Sequence, residues 1–600
     1  MVLAAYWCIS RIGSVVLLVD QTLLMSSIDW VVLMSTLLFI VGYGIWKTRG
    51  KKDLQGYLKG GNEAKWWAIG ISIMATQASA ITFLSTPGQA YSDGMRFIQF
   101  YFGLPVAMII LSVTFIPIYY RLKVYTAYEY LESRFDLKTR SLAALLFLIQ
   151  RGLAAGITIY APSIILSSLL GWNLNLTNVF IGVLVILYTV SGGTQAVTQT
   201  QKQQMAVMMG GMVIAGILLI QYLPEDLQFG EALHVAGSMG KLNVVNFEFD
   251  LSDRYNFWSG MTAALFLFMS YFGTDQSQVQ RYLSGRSLAQ SRLGLIMNGL
   301  LKVPMQFIIL FIGVLVFLFY QFNPSPIFFN KVVKERIELS EKGPELAVLE
   351  ENYLELQSER KEAIYDFVEA RRAGNSAEIA ATESQMISYQ DRAEDMREQA
   401  REIIRAAEPD AETNDKDYIF MTFVTNHLPV GLVGLLFAVM FSAAMSSTAS
   451  ELNALGSTTT IDLYKRSIKK DGTETHYLTS SRWFTFLWGV LAIIFATTAS
   501  LFENLIQAVN LLGSLFYGTI LGIFIVAFYF KRLRSNPVFY GALMAEAVVI
   551  YIHYLNANGL ATGFLEMGFL WYNVVGCVLV VVFATILENL SPLFRGRTRN

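Results

Sequence analysis

The sequence predicts an all-α polytopic membrane protein, and three observations carry that prediction. Of its 600 residues, 54% are hydrophobic and only 15% are charged, with a mean hydropathy of +0.45. Apolar runs near the ~20 residues that a bilayer requires recur along most of the chain. Basic residues gather in alternate loops between those runs, which orients each crossing. A net charge of −1 gives no basis for a nucleic-acid partner. Cys8 and Cys577 are too few for a disulfide framework, and four scattered histidines lack metal-ligand spacing.

Residues 1–24 form an uncertain leader, apolar but interrupted by Arg11 and Asp20. Thirteen spans are expected after it, near 28–47, 65–91, 97–120, 140–170, 176–191, 200–223, 258–279, 293–322, 430–455, 480–501, 506–530, 537–555 and 567–588. Spans one to eight fill 25–323 and the remainder fill 418–600. The loop after span one carries Lys47, Arg49, Lys51, Lys52 and Lys59, that after span three Arg121, Lys123, Arg134, Lys138 and Arg140, and the tail reads RGRTRN. The expectation is an N-terminus outside and a C-terminus inside.

The stretch 324–417 is different material, since 23 of the chain's 46 acidic residues lie in 331–417. Two helices, near 344–372 and 376–406, are expected to form an extracytoplasmic hairpin. Gly374 and Asn375 stop the first helix, Ser376 caps the second, and Leu346, Leu349, Tyr353, Leu356, Ile379, Met386 and Tyr389 form a thin seam. Either the hairpin is a solvated ornament or it docks a periplasmic or outer-membrane protein.

Within the membrane, span two contains IMATQASAITFLSTPG (73–88) and span seven contains SYFGTDQSQVQR (270–281). Two interrupted helices five spans apart point to an inverted repeat with a site at mid-membrane, and freed carbonyls at such breaks are cation ligands. Two ionisable groups stand out: Asp275, read as a helix-end residue or a functional one, and Lys302, deep in span eight. In AVMFSAAMSSTASELN (438–453), Ala443, Ser446, Ser447 and Ser450 share one helix face. That stripe fits close helix packing first, and a hard-cation site built from hydroxyl and carbonyl oxygens second.

Several motifs together resemble the sodium/solute symporter family: TAYEYLESRF (126–135), IYAPSIIL (159–166), SGGTQAV (191–197), GTDQSQVQRYL (273–283) and FSAAMSSTASELN (441–453) with Asp462-Leu-Tyr-Lys. They look closest to its iodide, multivitamin and monocarboxylate branch. The resemblance implies a LeuT-type fold with a 5+5 inverted repeat in the plasma (inner) membrane, and sodium-coupled import of a small solute. It implies a sodium site at the carbonyls of Ala75, Ala78 and Ala443 and the hydroxyls of Ser446 and Ser447. It places Gln77, Thr82, Tyr101, Phe268, Lys302 and Asn510 around the substrate, with Tyr271 as an inner gate.

Where the family pattern carries an aspartate, this chain has Gln201, which implies one sodium per cycle. A small organic anion paired with Lys302 is the expected solute, with a neutral sugar or polyol as the alternative. A transporter-like sensor signalling through a partner is the rival function; an enzyme is not expected.

Overall fold

The computed structural model describes residues 25–48, 64–122, 124–409, 411–497 and 505–594. The leader, the basic loop 49–63 and the RGRTRN tail lie outside the described residues. Helices are α1 Ser27–Thr48, α2 Trp66–Gln77, α3 Ala80–Asp93, α4 Leu104–Val113, α5 Phe115–Leu122, α6 Glu129–Arg134, α7 Leu137–Leu170, α8 Leu174–Gln221, α9 Phe229–Ser238, α10 Ala264–Gly273, α11 Gln276–Leu283, α12 Leu288–Phe322, α13 Lys331–Glu338, α14 Gly343–Ala373, α15 Ser376–Ala407, α16 Lys416–His427, α17 Leu432–Thr458, α18 Glu474–Ala496, α19 Leu505–Tyr529, α20 Ser535–Ala557 and α21 Tyr572–Phe594. Among the described residues, nine helices are long and apolar enough to cross a membrane, and three shorter apolar helices accompany them.

Both interruptions expected from sequence are present. Span two is α2 and α3, separated where Ala78 leaves helical geometry and Ser79 starts the next helix in extended conformation. Span seven is α10 and α11, separated at Thr274 and Asp275, and the Asp275 carboxylate caps α11 by accepting from the Ser277 amide. The two broken spans are tied at one end, where the Ala64 amide donates to the Ser284 carbonyl at 3.1 Å.

Spans five and six differ from expectation, because helical residues continue without a gap from Leu174 to Gln221. This stretch nonetheless makes two passes. Asn178 reaches the carbonyl of Ala496, which closes α18, and Tyr222 reaches that of His427, just before α17 begins. Both partners lie at the end of the bundle that bears the insertion.

α17 is the central post, buried along nearly its whole length. Glycines let neighbours approach it: a Cβ on Gly434 would sit 2.1 Å from the Asp29 carbonyl oxygen of α1. The Asp29 carboxylate accepts from the amides of Gly431 and Gly434 at 2.6 and 3.0 Å. At the other end Asp462 is buried, accepting from Thr126 at 2.7 Å and pairing with Arg140 at 2.6 Å. Two motifs far apart in sequence therefore meet as one joint.

The insertion forms a hairpin with close to the expected helix limits. Gly374 ends α14 with φ +73, a left-handed geometry that glycine adopts without strain. Ser376 is not the cap, however. Asn375 accepts from the Glu378 amide and Ser376 is the first helical residue.

Nor is the hairpin merely solvated. Its seam residues Leu346, Tyr353 and Leu356 pack with Ile327, Phe328, Ala400 and Ile404, while Met386 joins the main core. Arg397 is buried, paired with Asp415 at 2.9 Å, and its guanidinium lies 5.8 Å from the Tyr91 ring of α3. Arg360 donates to the Tyr320 carbonyl of α12 at 3.2 Å. Near the turn, Arg372 grips Glu231 of α9 through two contacts of 2.7 Å.

Candidate functional site

The site is built where the break in span two faces the hydroxyl stripe of α17. A helix end leaves its last carbonyls without in-helix donors, and here α2 ends at Gln77, within span two. The Ser447 hydroxyl donates to the Thr76 carbonyl at 3.3 Å. Ser446 is buried and its hydroxyl has no hydrogen-bond partner among the described residues. Ala75, Ala78 and Ala443 are all buried. A buried hydroxyl without a partner costs roughly 2–7 kcal/mol, so this oxygen set has the chemistry that a hard cation satisfies.

Gln201 lies beside this set, between spans two, six and nine. It accepts from the Ser72 hydroxyl at 2.5 Å and donates to Thr76 at 3.0 Å and Ser450 at 3.5 Å. Both ends of the amide are engaged, so it fills the position with hydrogen bonds and no net charge.

Beside the break is a cavity. Gln77, Thr82, Tyr101, Phe268, Tyr271 and Asn510, all predicted from sequence, line it together. The Tyr271 ring lies 5.9 Å from that of Tyr517, and its hydroxyl accepts from Gln278 at 2.5 Å. Lys302 is the exception. It is fully buried, outside the lining, with its ammonium 5.7 Å from the Tyr101 ring and no hydrogen-bond partner among the described residues.

The charged groups that do line the cavity are Arg151 of α7 and Glu451 of α17, which sequence reasoning missed. Arg151 bonds to Glu451 at 3.0 Å and pairs with Asp275 and the Tyr517 hydroxyl. Thr158 donates to the other Glu451 oxygen at 2.7 Å. Asp275 is accordingly a buried ion-pair member and not a helix-end residue in water. The signal was available: each of two apolar spans contains a single internal charge, in LIQRGLAAG and in SSTASELN.

The sequence pattern of the sodium:solute symporter family matches residues 57–346 and 402–546, leaving out most of the hairpin. The chain belongs to the sodium:solute symporter family. Sodium is the family's coupling ion, and its members are transporters, not enzymes. The sodium/sialic acid symporter SiaT of Proteus mirabilis is 25% identical over 580 residues, covering 94% of this chain and 95% of that protein. The Xenopus laevis sodium-coupled monocarboxylate transporter 1 is 27% identical over 503 residues, covering 84% of this chain and 67% of the relative. The human sodium/iodide cotransporter is 30% identical over 275 residues, covering 45% of this chain and only 42% of that protein's length.

A solved structure of a Na⁺-coupled sialic acid symporter, substrate-bound and outward-open, superposes with a TM-score of 0.71 at 23% identity. It covers 94% of this chain and 98% of its own, which establishes the LeuT-like fold.

Proposed function

We propose that this family member imports a small organic solute by alternating access, coupled to one sodium ion per cycle. In this reading it crosses the plasma (inner) membrane thirteen times, with its N-terminus and hairpin outside and its C-terminus inside. The observation that carries the proposal is the contact between Ser447 and the Thr76 carbonyl at the break of span two, beside the solute cavity. Sodium bound by the Ala75, Ala78 and Ala443 carbonyls and the Ser446 and Ser447 hydroxyls ties span two to α17. Ordering of α2 and α3 then shapes the wall formed by Gln77 and Thr82. Spans two, three, seven and eight rock against the rest, and Tyr271 opens the inner path by parting from Tyr517.

The energetics suit scavenging. One charge crossing 100 mV yields roughly 2.3 kcal/mol, and a tenfold gradient adds about 1.4. Gln201, neutral and fully engaged, supports a single ion. Two of the relatives are named for organic solutes, a monocarboxylate and sialic acid, and with iodide all three names are those of anions. With Lys302 outside the lining, the pairing first expected for an anion loses its residue.

Purified protein in liposomes tests the proposal: a sodium gradient should drive solute uptake in the wild type and not in Ser446→Ala/Ser447→Ala. Sodium-independent uptake, or a stoichiometry of two, would overturn it.

A further inference from the structure

Between the solute cavity and the hairpin, side chains from four parts of the fold join in one chain of hydrogen bonds. Arg254, in the loop leading into span seven, donates to the Gln507 side-chain oxygen of α19 at 2.7 Å. The Gln507 amide nitrogen donates in turn to the Gln89 oxygen of α3 at 3.4 Å. Gln89 then donates to the Asp93 carboxylate at the end of α3. Lys416, the first residue of α16 after the hairpin, reaches the same carboxylate at 3.4 Å.

The ends of the chain set its direction. A guanidinium can only donate and a carboxylate can only accept, so Arg254 and Asp93 together dictate which way each amide faces. Charge at both ends polarises the two amides and strengthens the bond between them. That bond is nonetheless long for a hydrogen bond, and it is the one that joins span two to span eleven. Gln89 is 1% exposed and Gln507 8%, so the link is buried.

Its position is outward of the solute. Thr82 lies about two turns before Gln89 on α3, Ile506 and Asn510 lie close to Gln507 on α19, and all three line the cavity. On the other side of the link is α16. The Leu505 amide at the start of α19 donates to Asp417 at 3.3 Å, and a Cβ on Gly88 would sit 1.9 Å from the Lys416 carbonyl oxygen. Arg254 is itself tied to the start of span seven, because its carbonyl accepts from the Ser259 hydroxyl at 3.1 Å. Gln507 is therefore gripped from both span two and span seven.

We propose that Gln89 and Gln507 are the outer gate of the solute cavity, an amide pair that fastens span eleven to spans two and seven while the hairpin side is closed. This rests on the symporter reading above and assigns the residues that hold its outer side shut. As spans two and seven rock outward the pair parts and water takes over both amides. Arg254 and Asp93 keep the two amides oriented, so the pair is preset to close again. Lys416 brings the return strand of the insertion to the same gate.

The test reads the reaction of Val509→Cys, in the cavity wall, with a membrane-impermeant maleimide added from the hairpin side. The background is the full chain with Cys8→Ala and Cys577→Ala, in sealed vesicles. Gln507→Glu keeps an acceptor for Arg254 but loses the N–H that Gln89 accepts. Labelling should become about two- to tenfold faster than in the parent. Adding Gln89→Lys to Gln507→Glu supplies a donor across the same gap and should return the rate to near that of the parent. Gln89→Leu removes the link from the other side and should match Gln507→Glu, which keeps the proposal testable if the first variant does not fold. Equal rates in the parent, Gln507→Glu and Gln89→Leu overturn the gate. Fast labelling in Gln507→Glu that Gln89→Lys does not reverse also overturns it, because loosened packing alone gives that result. A parent rate that changes with sodium while the variants match it removes the gate and leaves the symporter reading standing. A rate that responds to neither sodium nor any variant removes both together.

Discussion

The Ser72 hydroxyl donates to the Gln201 side-chain oxygen over 2.5 Å, joining the inner half of broken span two to span six. The amide nitrogen on the other side of Gln201 reaches Thr76 and Ser450. One neutral side chain thus bridges three helices one turn from the proposed sodium ligands.

Gln201→Asp should convert that bridge into a cation site. A carboxylate among three hydroxyls supplies the charge and the oxygens that a second sodium needs. The expected outcome is a rise in sodium-to-solute stoichiometry from one towards two, measured by paired tracer fluxes. An unchanged ratio would mean that the position does not govern ion number.

Ser446→Ala/Ser447→Ala removes both hydroxyls of the proposed site. Contacts to a charged group are worth about 1.5–3 kcal/mol each, so half-saturation by sodium should rise by more than about tenfold. Solute binding at saturating sodium should survive. Equal sodium affinity in wild type and variant would sink the assignment.

Arg397→Ala leaves Asp415 buried without its 2.9 Å partner. Stripping one member of a buried pair costs about 3–5 kcal/mol. The melting temperature should therefore fall clearly, although Arg397 lies far along the sequence from every proposed ligand. Asp415→Asn in the same background should recover part of the loss.

The outer strap should loosen as pH rises. Burial holds the Glu412 carboxyl up at about 8, with neighbouring Asp417 and Asp415 pushing the same way. Burial likewise raises Asp417 to about 6. Both folded-state values lie above the ordinary carboxylate range, so the folded form retains these protons longer than the unfolded one. Their contribution to stability is complete below about pH 4 and is lost as pH rises towards 8. Lys241, held down at about 8 by burial, changes stability only above that window. Melting temperatures measured from pH 5 to 8 should decline, and Glu412→Gln should flatten the curve; a flat wild-type profile would contradict the assignment.

Much of this molecule was legible before any coordinates, and the limits follow from what periodicity encodes. Hydropathy located the long apolar helices because burial in lipid is a property of about twenty consecutive residues. Gly273 and Asp275 marked one break, and the Gln, Ser and Thr content of 73–88 marked the other, because helix interruption needs such residues locally. Gln77, Thr82, Tyr101, Phe268, Tyr271 and Asn510 came from motif resemblance, and all six line one cavity.

Arg151 and Glu451 were passed over because each looks like an isolated charge in an apolar run, and pairing across 300 residues of sequence has no local signature. Lys302 shows a different limit. Burial of the side chain was legible, but its neighbours were not, and its ammonium lies 5.7 Å from the ring of Tyr101. The unbroken helix Leu174–Gln221 shows the same limit, since small polar residues interrupt hydropathy without stopping the helix.

The hairpin is a stiff beam resting on several pins. Its helices of 31 and 32 residues are each about 46–48 Å long at 1.5 Å per residue. Arg397 and Arg360 pin its middle to spans two and eight, and Arg372 pins its turn to α9. A beam that long cannot stay seated at every pin while the helices beneath it tilt. The middle pins are buried, whereas the Arg372 side chain is 46% exposed and its hold weakens with salt. The free end should therefore lift first, turning a small tilt of the membrane helices into a large excursion at Gly374 and Asn375.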